Sequence, residues 1–213
     1  MNSVVKRGAF IVFEGCDRCG KSTQSKLLVN YLEKANIPVK HMVFPERLSE
    51  IGKVINDYLT NKQELSDETI HLLFTANRWE HKSEILKLLK SGTTLVVDRY
   101  SYSGIVYSAA KGMQLKWCMS PESGLPRPDA VFYLKAEVED LLDRGNFGKE
   151  RYEKKEFQVK IAQLFDTIYE KEKDYWHLID AKQTQEEVHF QIKQKLPEII
   201  MNAENSVVKT LNW

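Results

Sequence analysis

Cysteine is scarce in this chain: three residues in 213, an odd number whose spacing frames no disulfide-stapled fold. The expectation is a reducing, cytosolic setting. An excess of either charge is also missing. Thirty-one Lys and Arg stand against 30 Asp and Glu, a net charge of +1. That balance lacks the broad basic footprint of a duplex-binding protein, so any phosphate binding has to be local and no nucleic-acid partner is expected. No stretch approaches the roughly 18 consecutive apolar residues of a membrane span. Lys6-Arg7 interrupts the N-terminal Val4-Val5 before a signal-like apolar segment forms, so no membrane association is expected either. There is no N-x-[ST] acceptor, internal repeat, linker or low-complexity segment. With 42 % hydrophobic and 29 % charged residues the composition is that of an ordinary globular protein. The length suits one α/β domain with a full core, covering 1–213.

What is present begins at Gly15-Cys16-Asp17-Arg18-Cys19-Gly20-Lys21-Ser22, which matches G-x-x-x-x-G-K-[ST] at every fixed position. An apolar run, Gly8 to Phe13, precedes it, and a leucine-bearing helical pattern, Ser22 to Lys34, follows. Strand, glycine-rich loop and helix read as a phosphate cradle, in which successive N–H groups and the helix N-terminus point at one anion, or else as a glycine-rich turn ahead of an ordinary helix. Lys21 is placed to hold β- and γ-phosphates, and Ser22 to offer its hydroxyl to Mg²⁺. Cys16 and Cys19 spell C-x-x-C, but they fill variable positions of the loop and no second pair exists, which disfavours a zinc site. Thiols beside a helix N-terminus have lowered pKa values, so oxidation of this pair is expected to disable the loop.

Five strand-like runs alternate with helical patterns: 8–14, 38–44, 93–98, 130–135 and 175–180. This order implies a five-stranded parallel sheet with helices on both faces and ligands outside the carboxyl ends of the strands. The residues at those ends are therefore the candidates. The second run ends at Pro45-Glu46-Arg47, where Pro45 fixes a turn and is a candidate for a cis bond. Arg47 is then either a ligand-edge cation or a solvated surface arginine. A short helix is expected over 49–61. A long helix of about two dozen residues is signalled from its cap at Ser66 to the stop at Ser91-Gly92. Phe74 and Arg78 share one face of it, as core packing or as a base-stacking ring with a hydrogen-bonding fork. The third run ends in Asp98-Arg99, a carboxylate suited to orienting Mg²⁺ and an arginine suited to phosphate, or else a strand-terminal turn. A helix from Ser101 to Lys111 bears Tyr102 and Tyr107, and 121–128 reads as a loop. Gly145 and Gly148 lie among basic residues in a segment that suits a mobile lid or a plain loop. Helices are expected over 137–143, 155–173 and 184–202, the last kinked or broken at Pro197.

Several segments together carry a family resemblance: Phe13-Glu14-Gly15 through Thr23-Gln24, Phe44-Pro45-Glu46-Arg47, and Leu72 through Glu80. Val97-Asp98-Arg99-Tyr100, Ser103-Gly104, Gly124 through Asp129 and Glu150-Arg151-Tyr152 complete the set. In this order they resemble eukaryotic-type thymidylate kinases of the nucleoside monophosphate kinase fold, over nearly the whole chain. The resemblance implies a P-loop NTPase fold with a lid at about 143–153, Mg²⁺- and ATP-dependent phosphorylation of dTMP to dTDP, and a homodimer. It implies catalytic roles for Arg18, Lys21, Asp98 and Arg99, and an ATP site of Gly15, Cys19, Gly20, Lys21, Ser22, Thr23 and Arg144, with Ser22 and Asp98 serving the metal. The implied dTMP site is Asp17, Arg47, Phe74, Arg78, Arg99, Ser103, Gly104, Tyr107 and Tyr152. A kinase for another nucleoside monophosphate, or a non-catalytic nucleotide switch, are the alternatives; the acceptor-side residues argue against the switch.

Overall fold

In the computed structural model of the chain, residues 6–142 and 151–213 are described. Five parallel strands form one sheet in the order β2-β3-β1-β4-β5, comprising β1 Phe10–Glu14, β2 Val39–Val43, β3 Thr94–Asp98, β4 Ala130–Lys135 and β5 Trp176–Asp180. The sequence explains the order. Phe10–Glu14 and Thr94–Asp98 are buried along their whole length and Ala130–Lys135 up to its last residue, as central strands of a sheet covered on both faces must be. Val39–Val43 and Trp176–Asp180 mix covered and open positions, as edge strands do.

The helices are α1 Lys21–Lys34, α2 Glu50–Leu59, α3 Asp67–Glu80, α4 Lys82–Lys90, α5 Ser101–Ala109, α6 Leu115–Met119, α7 Val138–Leu142, α8 Lys155–Lys171 and α9 Gln185–Glu204, with a 3₁₀ turn at Ser120–Glu122. Capping follows the local chemistry. Ser49, Ser66 and Thr184 accept from Gly52, Thr69 and Glu187 N–H, and Thr184 with Glu187 completes a reciprocal capping box.

The register gathers the functional edge. Phe13 lies opposite Asp98, and Asp98 opposite Val43, so Glu14, Val43 and Asp98 end at nearly one level. Strand order reverses at β1, whose loop leads into the crevice between its neighbours β3 and β4. A second, smaller apolar cluster of Ile55, Tyr58, Leu59 and Ile70, with Phe74 and Tyr152 against it, forms between α2 and α3 beyond this edge.

Three sequence expectations need correction. The helix expected from Ser66 to Ser91 is two helices, separated at His81, whose N–H bonds back to Arg78 O in a tightened turn. The halves serve different neighbours, since α3 packs against α2 and α5 while α4 packs against β3. The expected loop at 121–128 begins inside the 3₁₀ turn, and α6 precedes it unannounced. Finally, of the kink or break expected at Pro197 the break does not occur: α9 continues to Glu204, with Leu196 and Ile199 buried on either side of the exposed proline.

A proline inside a helix forfeits one backbone hydrogen bond and crowds the preceding turn, while stiffening the unfolded chain. Pro197→Ala is therefore expected to stabilise the protein by about 1–2 kcal/mol, a rise in Tm of roughly 2–8 °C at this size. Calorimetry checks it. An unchanged or lower Tm would mean that α9 depends on the proline.

Candidate active site

The phosphate loop is built on two backbone conformations that L side chains rarely adopt. Gly15 has φ +140° and lies so close to Leu134 O that a Cβ could not fit, and Gly20 caps α1 at φ +97°. Lys21, only 4 % exposed, folds back so that Nζ donates to Cys16 O at 2.5 Å. The ammonium thus lies over the loop's own hollow. Arg18 also sits at positive φ, +63°, and its Nε and Nη2 bind Glu153 Oε1 at 3.1 and 2.8 Å. Thr23 is exposed at the start of α1, whereas the Cys19 side chain is buried, so only its backbone can face a ligand.

The expected sensitivity of the thiols is not supported. Cys16 and Cys19 are 4 % and 2 % exposed, and burial, with Cys19 beside it, pushes the Cys16 thiol up to about 12. Desolvation of the thiolate outweighs the pull of the helix N-terminus and of Lys21. Cys16 is therefore a neutral packing group at physiological pH.

At the end of β3, Ser22 Oγ donates to Asp98 Oδ2. Asp98 is 4 % exposed, and its other oxygen, Oδ1, is buried with no hydrogen-bond partner among the described residues. A buried carboxylate oxygen left over beside a hydroxyl is a donor set that suits a hard divalent cation, so Ser22 and Asp98 fit Mg²⁺.

Arg99 forms the junction between this loop and the cleft beside it. Its N–H bonds Phe13 O at 3.0 Å, φ is +66°, and the guanidinium binds Asp17 Oδ1, Ser103 Oγ at 3.1 Å and Gly15 O at 3.3 Å, with the Tyr107 ring 5.2 Å away. Burial alone would push the Asp17 carboxyl up, but Arg99 and Lys21 outweigh it and hold Asp17 below the usual carboxylate range.

Beneath Arg99 lies Glu14, fully buried, which accepts from Tyr100 N at 2.9 Å, Ser103 N at 3.1 Å and Ser103 Oγ at 2.5 Å. Helix α5 has no side-chain cap of its own, and Glu14 supplies it from β1. Burial pushes this carboxyl up; Ser103 and Arg99 pull the other way. Gln158, 1 % exposed, ties the loop to α8: Oε1 accepts from Asp17 N at 2.9 Å, and Nε2 donates to Asp17 Oδ2 at 2.6 Å and Tyr152 O at 3.0 Å.

Beside the loop opens a cleft, and all nine residues expected on the acceptor side line it: Asp17, Arg47, Phe74, Arg78, Arg99, Ser103, Gly104, Tyr107 and Tyr152. Phe44, Pro45, Leu59 and Tyr100 line it too and were not expected. The Phe44-Pro45 bond is cis, and Arg47 Nη1 donates to Asn56 Oδ1 at 3.0 Å. Asn77 grips the backbone of this turn, accepting from Glu46 N at 2.8 Å and donating to Glu46 O at 3.0 Å. Phe74 is half-buried, its ring on the wall of the cleft; Arg78 is 2 % exposed. Tyr107 and Tyr152 meet edge-on with centroids 5.5 Å apart. Arg144 and positions 143–150 of the expected lid lie outside the described residues.

Glu14, Glu122, Glu153 and Gln158 escaped the sequence reading. Each acts on a partner far away in the chain, so no local spacing marks them; only Glu14, inside the loop motif's leading strand, stood beside a recognisable signal.

The family model for thymidylate kinase matches residues 13–192. The chain is 49 % identical to a thymidylate kinase of Dictyostelium discoideum, over 89 % of this chain and 85 % of that one. It is 44 % identical to that of Homo sapiens, over 88 % and 89 %. Among solved structures, a thymidylate kinase from Candida albicans, described as having broad substrate specificity, superposes with a TM-score of 0.87 at 36 % identity, covering 97 % of this chain and 99 % of that one. A phosphate loop joined through Arg99 to a cleft lined by aromatic and arginine side chains, on a chain this similar throughout, places the protein in the thymidylate kinase family.

Proposed function

We propose that this chain is the transferase its family name describes, moving the γ-phosphoryl group of ATP to dTMP. The observation that carries the reading is the continuity of two sites: Asp17 belongs to the phosphate loop, lines the acceptor cleft and pairs with Arg99. Donor and acceptor phosphates would meet there. Both reactants are anions, and the acceptor phosphate is already an ionised nucleophile at neutral pH, so the protein has to position and neutralise rather than abstract a proton.

In this assignment Lys21 and the N–H groups from Gly15 to Thr23 hold the donor phosphates, and Arg18 leaves Glu153 to stabilise the transferring group. Arg47 and Arg99 grip the acceptor phosphate. Asp17 takes the sugar's 3′-hydroxyl and Tyr107 presses on C2′, while Phe74 stacks on the base and Arg78 donates to its O4. Ser103, Gly104 and Tyr152 complete the wall. Ser22 and Asp98 would hold Mg²⁺, which when bound neutralises phosphate charge and polarises the transferred group. Arg144 and a lid at about 143–153 would cover the donor. The whole chain is read as one kinase domain. No helix of the described residues is long and apolar enough to cross a membrane. Three buried free thiols suit a cytosolic, reducing compartment.

The chain is also read as a homodimer, joined through the helical layer of parts of 66–90 and 101–111. Sedimentation at micromolar concentration should give about twice the 24.8 kDa chain mass; a monomer would overturn this.

Acceptor choice tests the activity itself. Arginine only donates hydrogen bonds, so it suits thymine O4, whereas cytosine presents an amino donor there and would leave buried donors facing each other. Uracil lacks only a methyl, worth about 0.8 kcal/mol of burial and at most a few kcal/mol with the cavity included. Coupled assays are expected to rank dTMP above dUMP, and both well above UMP and dCMP, with Arg78→Ala narrowing the gap between dTMP and dCMP. Equal kcat/KM for dCMP and dUMP would contradict the role of Arg78, and a faster acceptor outside this set would point to another monophosphate kinase.

A further inference from the structure

The base end of the cleft contains a cation that is already spoken for. Arg78 Nε donates to Glu122 Oε2 at 2.9 Å and Nη2 donates to Oε1, a two-pronged pair whose side chains are 3 % and 0 % exposed. Thr75 Oγ1 adds a third bond to Glu122 Oε1 at 2.7 Å. The turn bearing Glu122 is pinned to α3 one residue from Arg78, where Trp79 Nε1 donates to Pro121 O at 2.8 Å. Gly104 lies so close to the guanidinium that any Cβ there would collide with it. The fork is held by the carboxylate and hemmed in by the α5 backbone. Nη1, which makes no hydrogen bond among the described residues, belongs to the edge of Arg78 left for the cleft that it lines.

Two physical consequences follow. Pairing fixes which N–H groups can meet a ligand, since a guanidinium whose Nε and Nη2 are committed to one carboxylate cannot turn. It also cancels the charge. Arg47 and Arg99 line the same cleft, and an uncompensated Arg78 would make both ends attractive to phosphate.

We infer that Glu122 is a positioning and specificity-determining residue: it turns Arg78 from a phosphate-binding cation into a fixed, charge-compensated hydrogen-bond donor for a neutral base, and so orients the nucleotide with its phosphate towards Arg47 and Arg99. The inference rests on the assignment of the base to Arg78. Glu122 touches no substrate in this account and acts through Arg78 alone.

The test compares wild type, Glu122→Gln, Glu122→Asp, Arg78→Ala and the double variant Arg78→Ala/Glu122→Gln in steady-state assays with dTMP, dUMP and dCMP. Inorganic phosphate serves as an inhibitor probe. Glu122→Gln is expected to raise the KM for dTMP about two- to 150-fold with the KM for ATP unchanged, the range seen for directly coupled residues. It should also shrink the dTMP to dCMP ratio of kcat/KM and strengthen inhibition by inorganic phosphate against dTMP. Glu122→Asp, which keeps the charge, should recover part of the loss. In the Arg78→Ala background the same Glu122 change should move the ratio less than about twofold, because its route of action is gone. A Glu122→Gln protein with wild-type Tm, unchanged KM for dTMP and unchanged acceptor ratio would overturn the inference, as would an equal loss in both backgrounds. If Glu122→Gln does not fold, Thr75→Val removes one bond to the carboxylate and should shift the ratio in the same direction; no shift there overturns the inference too. Failure of the parent reading looks different, because wild-type protein would then not turn over dTMP. The pairing itself would still report, as a slowly exchanging Arg78 Nε–H in nitrogen-15 spectra that is lost on Glu122→Gln.

Discussion

Like charges crowded at one edge of a sheet repel one another, and this edge carries Arg18, Lys21, Arg47, Arg78 and Arg99. Every one of them has a protein oxygen as partner: Glu153, Cys16 O, Asn56, Glu122 and Asp17. Two unit charges 4 Å apart interact by about 4 kcal/mol at an effective dielectric of 20, so each close pair of unpartnered cations would cost a sizeable part of a typical domain's net stability. In the proposed reading, the acceptors hold the cations in place until phosphate oxygens take over, and those beside Arg18, Lys21, Arg47 and Arg99, carbonyls and half-buried carboxylates, are exchanged for the ligand. Glu122, fully buried, is not placed to let go of Arg78.

This division explains why so many polar groups are buried where burial costs most. Glu14, Arg78, Asn77, Glu122 and Gln158 are all at most 2 % exposed. Replacing such groups by well-packed hydrophobic residues is often neutral or stabilising, so they are poor candidates for a role in stability alone. What they share is a connection to a cleft residue. Glu14 caps the helix that carries Ser103 and Gly104, Asn77 holds the turn that carries Arg47, and Gln158 fixes Asp17. The apolar sheet core supplies the platform, and this layer sets the aim of each side chain above it.

Much of the arrangement was legible before any coordinates. The strands and phosphate loop are local signals, period and glycine placement, and parallel order then forces Asp98 and Arg99 to the loop's edge. Arg47, Phe74 and Arg78 followed from where strands end and which helix face they share. Other features were hidden because they depend on distant partners. His81 separates α3 from α4 only because the two helices pack on different elements, and Pro197 stays helical because α9 is held by its buried face. The thiols of Cys16 and Cys19 sit beside a helix N-terminus, which suggests reactivity, yet their burial decides the matter. Glu122 lay in a stretch whose three prolines and glycine read as a loop, 44 residues from the arginine it controls.

A crystal structure of the protein with dTMP bound would show whether the cleft is divided into a fixed, charge-compensated base end and a cationic phosphate end. The phosphate is expected against Arg47 and Arg99, thymine O4 facing Arg78, and the Arg78–Glu122 fork unmoved. Phosphate seated against Arg78, or an Arg78 swung away from Glu122 to meet the base, would contradict that division.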